Sequence, residues 1–308
     1  MIRVLMLDLG GTLIDDDKRL FPHVPEALEI LRGFETKASQ PLSLCLVSDF
    51  YMPTPDRTIQ DIFREYLGLL EDLGIRRFFE PVERHVTLST HAGARKPERR
   101  VFETAVERLN LLPGAGLDEC LFITESAEHI AAARQLGIKT LLFGEPGAAE
   151  GDFSDWSEAP LLVAQIVNAE SLNNLDAALR LRLAVEYDLE LLFISEKSAD
   201  GIVRGQVNKP YLLPPGDGNE SESGQNSVAA LPVNAEIAMN NQGRILSVSS
   251  EEPDEESVHE AAHYIRTLNE NRQISRKPKG ALEPGETHRE TVDEKGEKHI
   301  RRERFSAF

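Results

Sequence analysis

Cysteine is scarce in this chain: Cys45 and Cys120 are the only two among 308 residues. Both lie inside apolar runs, LSLCLVS and ECLFIT. They read as buried free thiols, so a disulfide framework is excluded as the source of stability. No apolar run reaches the roughly 18 residues that a membrane-crossing helix needs. Basic residues are in deficit, 34 Lys and Arg against 52 Asp and Glu, for a net charge of -18. That balance argues against non-specific nucleic-acid binding, which needs a basic surface, and equally against anionic membranes. The opening residues, MIRVLMLDLGG, meet acid and glycine too early for a secretory signal. The expected location is the cytoplasm. What is present suits a core-building protein: a hydrophobic fraction of 41% is ordinary for a soluble domain. The length allows two domains or one large one.

The first half of the chain alternates strand and helix signals. Arg3–Leu7, Leu42–Val47, Val86–Leu88, Cys120–Thr124 and Thr140–Phe143 read as short buried strands. Between them, Pro25–Phe34, Thr58–Leu73, Pro97–Leu109 and Ala127–Leu136 have helical spacing. Gly74 and Gly137 are the expected helix stops. Repeated βα alternation predicts a three-layer, Rossmann-like, mostly parallel sheet with helices on both faces. The texture changes after Gly144. Glu145–Ala159 is rich in Gly, Pro, Asp and Ser, and Leu172–Phe193 begins helical and ends ambiguously in LELLFIS. Pro214–Ala229 is polar and of low complexity, a mobile linker by composition. Hairpins are expected around Asn241-Gln242-Gly243 and Glu294-Lys295-Gly296, with a helix over Pro253–Arg272 between them. The expected organisation is therefore a first domain over 1–148, a connecting segment over 149–213, the linker over 214–229, and a small α+β module over 230–308. That module either folds alone or orders on a protein partner.

Four polar residues stand where an open parallel sheet presents ligands, beyond the carboxyl ends of strands. Asp8 ends the first strand in DLGGT, Ser48 ends the second in LVSD, and Glu125 follows the fourth in FITESAEHI. Lys96 precedes a helix in ARKPERRVF. Asp8 could attack phosphorus and form an aspartyl-phosphate. Ser48 and the amides of the Gly10–Thr12 turn could bind phosphoryl oxygens, and Lys96 could neutralise the group in flight. Glu125, beside Asp8, could hold Mg²⁺, an oxygen-seeking ion. Together these supply the electrostatics that dominate phosphoryl transfer. Each residue also has a plain structural reading: Asp8 as a turn residue, Ser48 as a cap, Lys96 as a surface lysine, Glu125 as a helix-start acid. His259 and His263 stand at i and i+4, but no Cys or further His is in reach to complete a zinc site. The basic stretch at Lys298, Arg301, Arg302 and Arg304 reads as a solvated strand face or a docking patch for an acidic surface.

As an ordered set these motifs resemble the haloacid-dehalogenase-like (HAD) superfamily over about residues 1–145. The strand followed by Asp-x-Asp-Gly-Thr-Leu is similar to DLGGTLID at Asp8, Gly11, Thr12 and Leu13. The family's motif-two Ser or Thr is matched by Ser48, and its Lys before Pro and a helix by Lys96-Pro97. Its fourth motif resembles TESAEHIAAARQLGIKTLLF. The resemblance implies a Mg²⁺-dependent phosphatase or phosphotransferase with Asp8 and Lys96 catalytic. It implies that Gly11, Thr12, Ser48 and Lys96 bind phosphate, and that Asp8, the Gly10 carbonyl and Glu125 hold the metal. Two departures cut against full activity. The family's general acid/base is Gly10 here, and its motif-four acids become Glu125 and a position near Glu128 and His129. Asp15, Asp16 and Asp17 follow closely, as substitute donors or as solvated loop acids. The chain left for a cap domain is too short at both usual places, so a capless, open site is expected. That suits a phosphorylated small molecule or a phosphoprotein, and it disfavours a metal-independent dehalogenase, which needs a closed apolar pocket. The competing expectation is a non-catalytic HAD-like binding or scaffolding protein.

Overall fold

The computed structural model describes residues 1–111, 114–144, 151–213, 227–277, 281–283, 285–292 and 298–302. The chain forms two compact units. The first comprises Met1–Arg182 with Asn240–Arg244, and the second Leu183–Met239 with the chain from Ile245 on.

The first unit is built on five strands: β1 (Val4–Leu7), β2 (Ser43–Ser48), β3 (Val86–Leu88), β4 (Cys120–Thr124) and β5 (Lys139–Leu142). Their order is β3-β2-β1-β4-β5, every pair parallel. Leu7 lies between Leu46 and Ile123 in register, so the carboxyl ends of β1, β2 and β4 are level. The helices are α1 (Val24–Arg32), α2 (Ile59–Asp72), the single turns α3 (Val82–His85) and α4 (Ser89–Ala92), α5 (Arg99–Leu109), α6 (Ala127–Gln135), α7 (Ala159–Asn168) and α8 (Leu172–Tyr187), the last of which runs into the second unit from Leu183. One face of the sheet presents Val4, Met6, Cys45, Val47, Cys120 and Phe122 to Val101, Phe102 and Ala105 of α5 and to Ala133 of α6. The alternate positions face the other way, on the side where α1 meets β2 and α7 meets α1. Every residue of β1 is buried, as expected of a strand covered on both faces. The predicted three-layer α/β domain is thus present. Thr58 caps α2 by accepting from Asp61 N–H, and the buried stripe is Ile62, Tyr66 and Leu70. Ile59, at the start of the helix, is exposed. Cys45 and Cys120 are free and buried; burial pushes the Cys120 thiol up to about 12 and Cys45 higher still.

The boundary expected at 148 is corrected. The first unit continues to Arg182, because Trp156 and seven residues of α7 are buried in it. Helix α7 went unread because APLLVAQIVN is buried on nearly all sides and carries no polar face to set a period. So 149–213 is no connector: its first part completes the first unit, and its last part supplies two strands of the second.

The second unit holds β6 (Glu190–Lys197), β7 (Ile202–Leu212), β8 (Ser227–Met239), β9 (Ile245–Ser250), α9 (Glu255–Glu270), β10 (Ile274–Ser275), β11 (His288–Val292) and β12 (Lys298–Arg302). They form a mixed sheet in the order β10-β11-β12-β8-β7-β6, with β9 also on β8, and α9 lies against β8. This α+β module starts well before residue 230. Strand β7 was not anticipated, since IVRGQVNKPYL carries Gly and Pro. Gly205 is required there: a Cβ would come within 2.3 Å of the Phe193 carbonyl oxygen, beside the irregular register of β6. The expected linker ends inside β8, where Val228 and Ala229 pair with Leu212 and Tyr211; its residues 214–226 lie outside the described residues. Both expected hairpins are present, β8–β9 and β11–β12; the second one's turn lies outside the described residues. Among the described residues, no helix is long and apolar enough to cross a membrane.

Candidate active site

Strand β1 delivers Asp8 to the carboxyl edge of the sheet beside the β1/β4 boundary, where the strand order reverses. The Asp8 N–H still donates to the Ile123 carbonyl at 3.0 Å, so the residue is fixed as the last rung of the ladder. Its Oδ1 accepts the Leu9 N–H at 2.8 Å. Its Oδ2 meets Lys96 Nζ in an ion pair, with Thr124 Oγ1 at 3.1 Å. The Asp8 and Lys96 side chains are only 7% and 2% exposed, so the pair is desolvated and its geometry is fixed by its surroundings. Lys96 is held in turn by its own N–H, which donates to Asp49 Oδ1 at 3.0 Å.

The turn after Asp8 depends on Gly11. Its φ is +68°, and a Cβ there would sit 2.9 Å from Glu125 Cγ, so both backbone and space exclude a side chain. Gly10 differs: its φ is not left-handed, and a Cβ would meet nothing within 4 Å. The amides of Gly11 and Thr12, expected at the phosphate, make their hydrogen bonds within the turn. Gly11 N–H donates to the Ile14 carbonyl at 2.7 Å and Thr12 N–H to the Leu9 carbonyl at 3.3 Å. The Thr12 hydroxyl donates to Glu125 Oε2, while Glu125 N–H donates back to Thr12 Oγ1 at 3.1 Å. Gly11 and Thr12 therefore position Glu125 and leave the Gly10 N–H as an amide without a partner among the described residues.

Ser48 ends β2 and Glu125 follows β4, while Lys96 reaches Asp8 from the loop between α4 and α5. Ser48 is buried and its Oγ accepts the Tyr66 hydroxyl at 2.7 Å, which leaves its own proton to donate. Burial above all, with the nearby Asp8 charge, pushes the Tyr66 phenol well above its ordinary value, so it stays a donor. Glu125 is exposed, and Thr124 Oγ1 lies 3.1 Å from both Glu125 Oε2 and Asp8 Oδ2. One hydroxyl thus joins the two carboxylates. The rest of the expected acid set is not assembled. Glu128 is exposed, and the His129 Nδ1 is buried with no partner among the described residues. Asp15 closes a turn, its Oδ1 accepting the Arg19 N–H at 2.8 Å. Asp16 and Asp17 are exposed. Gly10, Glu125 and Asp15–Asp17 line one side of a groove of about 1000 Å³. Among the described residues, no group of three or more His, Cys, Asp or Glu could hold a metal, His259 and His263 included.

Trp156 is the functional residue that the sequence reading missed. It is the only tryptophan, fully buried against Phe143 and Phe153. Its indole N–H donates to the Thr12 carbonyl at 2.9 Å, bracing the turn whose Thr12 hydroxyl holds Glu125. Its signal was a lone tryptophan in a polar stretch, FSDWSE. Trp156→Phe keeps most of the packing and orphans a buried carbonyl. It is expected to lower unfolding stability by about 1–3 kcal/mol, measured by urea denaturation followed by circular dichroism. Unchanged stability would show that the bond does not brace the turn.

No family model matches this chain, and no curated protein matches it. Solved structures similar to it include an uncharacterized protein from Corynebacterium glutamicum, 18% identical over 47% of this chain and 87% of that one, with a TM-score of 0.32. A haloacid dehalogenase-like family hydrolase from Streptococcus pneumoniae is 16% identical over 49% and 92%, with a TM-score of 0.31. A HAD family enzyme from Bacteroides thetaiotaomicron, an Asp-to-Ala mutant in complex with magnesium and inorganic phosphate, is 17% identical over 48% and 98%, with a TM-score of 0.22. At these identities and scores, the likenesses assign no activity to this chain.

Proposed function

We propose that this chain is a capless HAD-like phosphohydrolase or phosphotransferase that uses Asp8 as its nucleophile. The observation that carries the proposal is the buried Asp8–Lys96 pair at the carboxyl end of β1. In this reading Asp8 attacks phosphorus, the leaving-group oxygen departs, and water or a second acceptor later takes the phosphoryl group from the aspartyl-phosphate. Lys96, the Gly10 N–H and the Ser48 hydroxyl stabilise charge on the phosphoryl oxygens. Two neighbouring carboxylates and the Gly10 carbonyl fit the sparse protein share of a Mg²⁺ site, which is completed by waters and substrate oxygens. Asp8, Gly10 and Glu125 would hold the ion, and when bound it supplies positive charge opposite Lys96.

No side chain of the turn delivers a proton to the leaving group, because position 10 is glycine. The reading therefore favours leaving groups that depart as stable anions. One helix, α1, lies between Asp8 and Ser48; α2, β3, a 3₁₀ turn at Arg76–Phe79 and the single turns α3 and α4 lie between Asp49 and Lys96. Neither interval holds a cap domain, which suits phosphoproteins as well as small phosphate esters. The second unit would then serve to dock a protein partner. The rival reading, a non-catalytic binding protein, is favoured by one observation: Gly10 and His129 stand where two acids are wanted. A fluorometric phosphatase assay with and without Mg²⁺, beside a beryllofluoride-binding test, separates the two. Aryl phosphate hydrolysis lost on chelation is expected. Beryllofluoride binding without any turnover would support the non-catalytic reading.

A further inference from the structure

The two sides of Asp8 differ in their charged lining. Toward β4 the groove holds Glu125 and Asp15–Asp17. Toward β2 a separate pocket of about 440 Å³ is lined by Phe50, Tyr51, Met52, Arg57 and Arg95, with Asp49 as its one carboxylate. That carboxylate is turned onto the Lys96 N–H, so it links the pocket wall to the catalytic lysine.

This pocket is built, not incidental. Ser89 holds Phe50 from both sides, accepting its N–H at 3.1 Å and donating to its carbonyl at 3.2 Å. Phe50 packs edge-on to Tyr51 and Tyr66. Thr54 and Arg57 exchange backbone hydrogen bonds at 3.1 and 3.2 Å, closing the loop. The Arg57 guanidinium lies 4.8 Å from the Tyr51 ring centre and pairs with Glu65. Arg95 is exposed and its guanidinium has no carboxylate partner among the described residues, in a chain of net charge -18.

We infer that this pocket is a leaving-group subsite for phosphate esters that carry a second anionic group, which Arg95 and Arg57 would bind beside the aromatic wall. The inference rests on the phosphoryl-transfer reading for its orientation, with the ester phosphorus at Asp8 and the second anion next to Lys96 on the β2 side. A matched pair of probes tests it: 3-phosphoglycerate, which has the second anion, and glycerol 3-phosphate, which has a hydroxymethyl group in its place. Affinities come from calorimetry and phosphate release from initial rates, on the natural chain, Arg95→Ala and Arg95→Lys. The natural chain should bind 3-phosphoglycerate about 10-fold or more tightly than glycerol 3-phosphate. Arg95→Ala should bring that ratio close to one, and Arg95→Lys should keep most of it. Equal affinities in the natural chain, or a preference that survives Arg95→Ala, would overturn the subsite while phosphate release still upholds the chemistry at Asp8. An Arg95-dependent preference without phosphate release from these alkyl esters would uphold the subsite, and absence of aryl phosphate hydrolysis as well would overturn the chemistry at Asp8. Failure of both probes to bind would overturn the subsite.

Discussion

Asp8→Asn is expected to reduce phosphate release to background, a loss of about 10⁴-fold or more. The carboxamide has nearly the same shape and can still accept the Leu9 N–H through its oxygen. What it lacks is the anion that attacks phosphorus. The change also leaves the buried Lys96 without its counter-charge, so it is expected to cost stability as well. Breaking a buried pair by removing one partner typically costs about 3–5 kcal/mol. The two losses separate experimentally. Circular dichroism and urea denaturation report the stability, and inorganic phosphate binding reports the site. Removing the carboxylate also removes its repulsion of phosphate, so a folded Asp8→Asn protein should bind phosphate at least as well as the natural chain. Undiminished turnover in that variant would sink the assignment of the nucleophile.

Gly10→Asp is expected to raise turnover on alkyl phosphates by about 10²-fold or more, the ordinary worth of general acid–base catalysis. The structure accommodates the change. Position 10 is exposed, has no left-handed φ, and offers open space where the Cβ would go. Gly11 next to it has neither freedom. Aryl phosphates should gain less, because a phenolate leaves with little protonation. If turnover rises for neither class, the defect lies at Glu125 and His129. Combining Gly10→Asp with Glu125→Asp and His129→Asp then decides the matter. Activity that appears only in the triple variant would favour a non-catalytic role for the natural chain. Natural protein that already hydrolyses alkyl phosphates at ordinary enzyme rates would mean that another group moves the proton.

Which parts of this site were legible follows from local chemistry. Asp8, Ser48 and Glu125 could be placed because short apolar runs mark buried strands, and residues just past those runs emerge on one edge of a parallel sheet. Lys96 came from its motif context, and the structure brings its amine to Asp8. What escaped depended on contacts far apart in sequence. Tyr66 lies on the buried stripe of α2, yet its hydroxyl holds Ser48. Thr124 read as the end of a strand, yet its hydroxyl joins the two carboxylates. Gly11 and Thr12 were taken for ligand contacts, but their amides close the turn and the Thr12 hydroxyl fixes Glu125. Trp156 lies 144 positions from its partner Thr12, in a stretch whose polarity suggests a loop. Two elements of the fold escaped for related reasons. Strand β7 breaks strand propensity with a glycine that a bulged neighbour requires, and α7 is too uniformly buried to show a period.

The most direct test of phosphoryl chemistry at Asp8 is to catch the intermediate. The chain would be incubated with an activated phosphoryl donor, quenched in acid, reduced with borohydride, digested and read by mass spectrometry. An aspartyl-phosphate at position 8 should appear as homoserine in the peptide that contains DLGGTLID, and the Asp8→Asn protein should show none. Phosphate release without that product at position 8, or with the product on another residue, would contradict Asp8 as the phosphoryl acceptor.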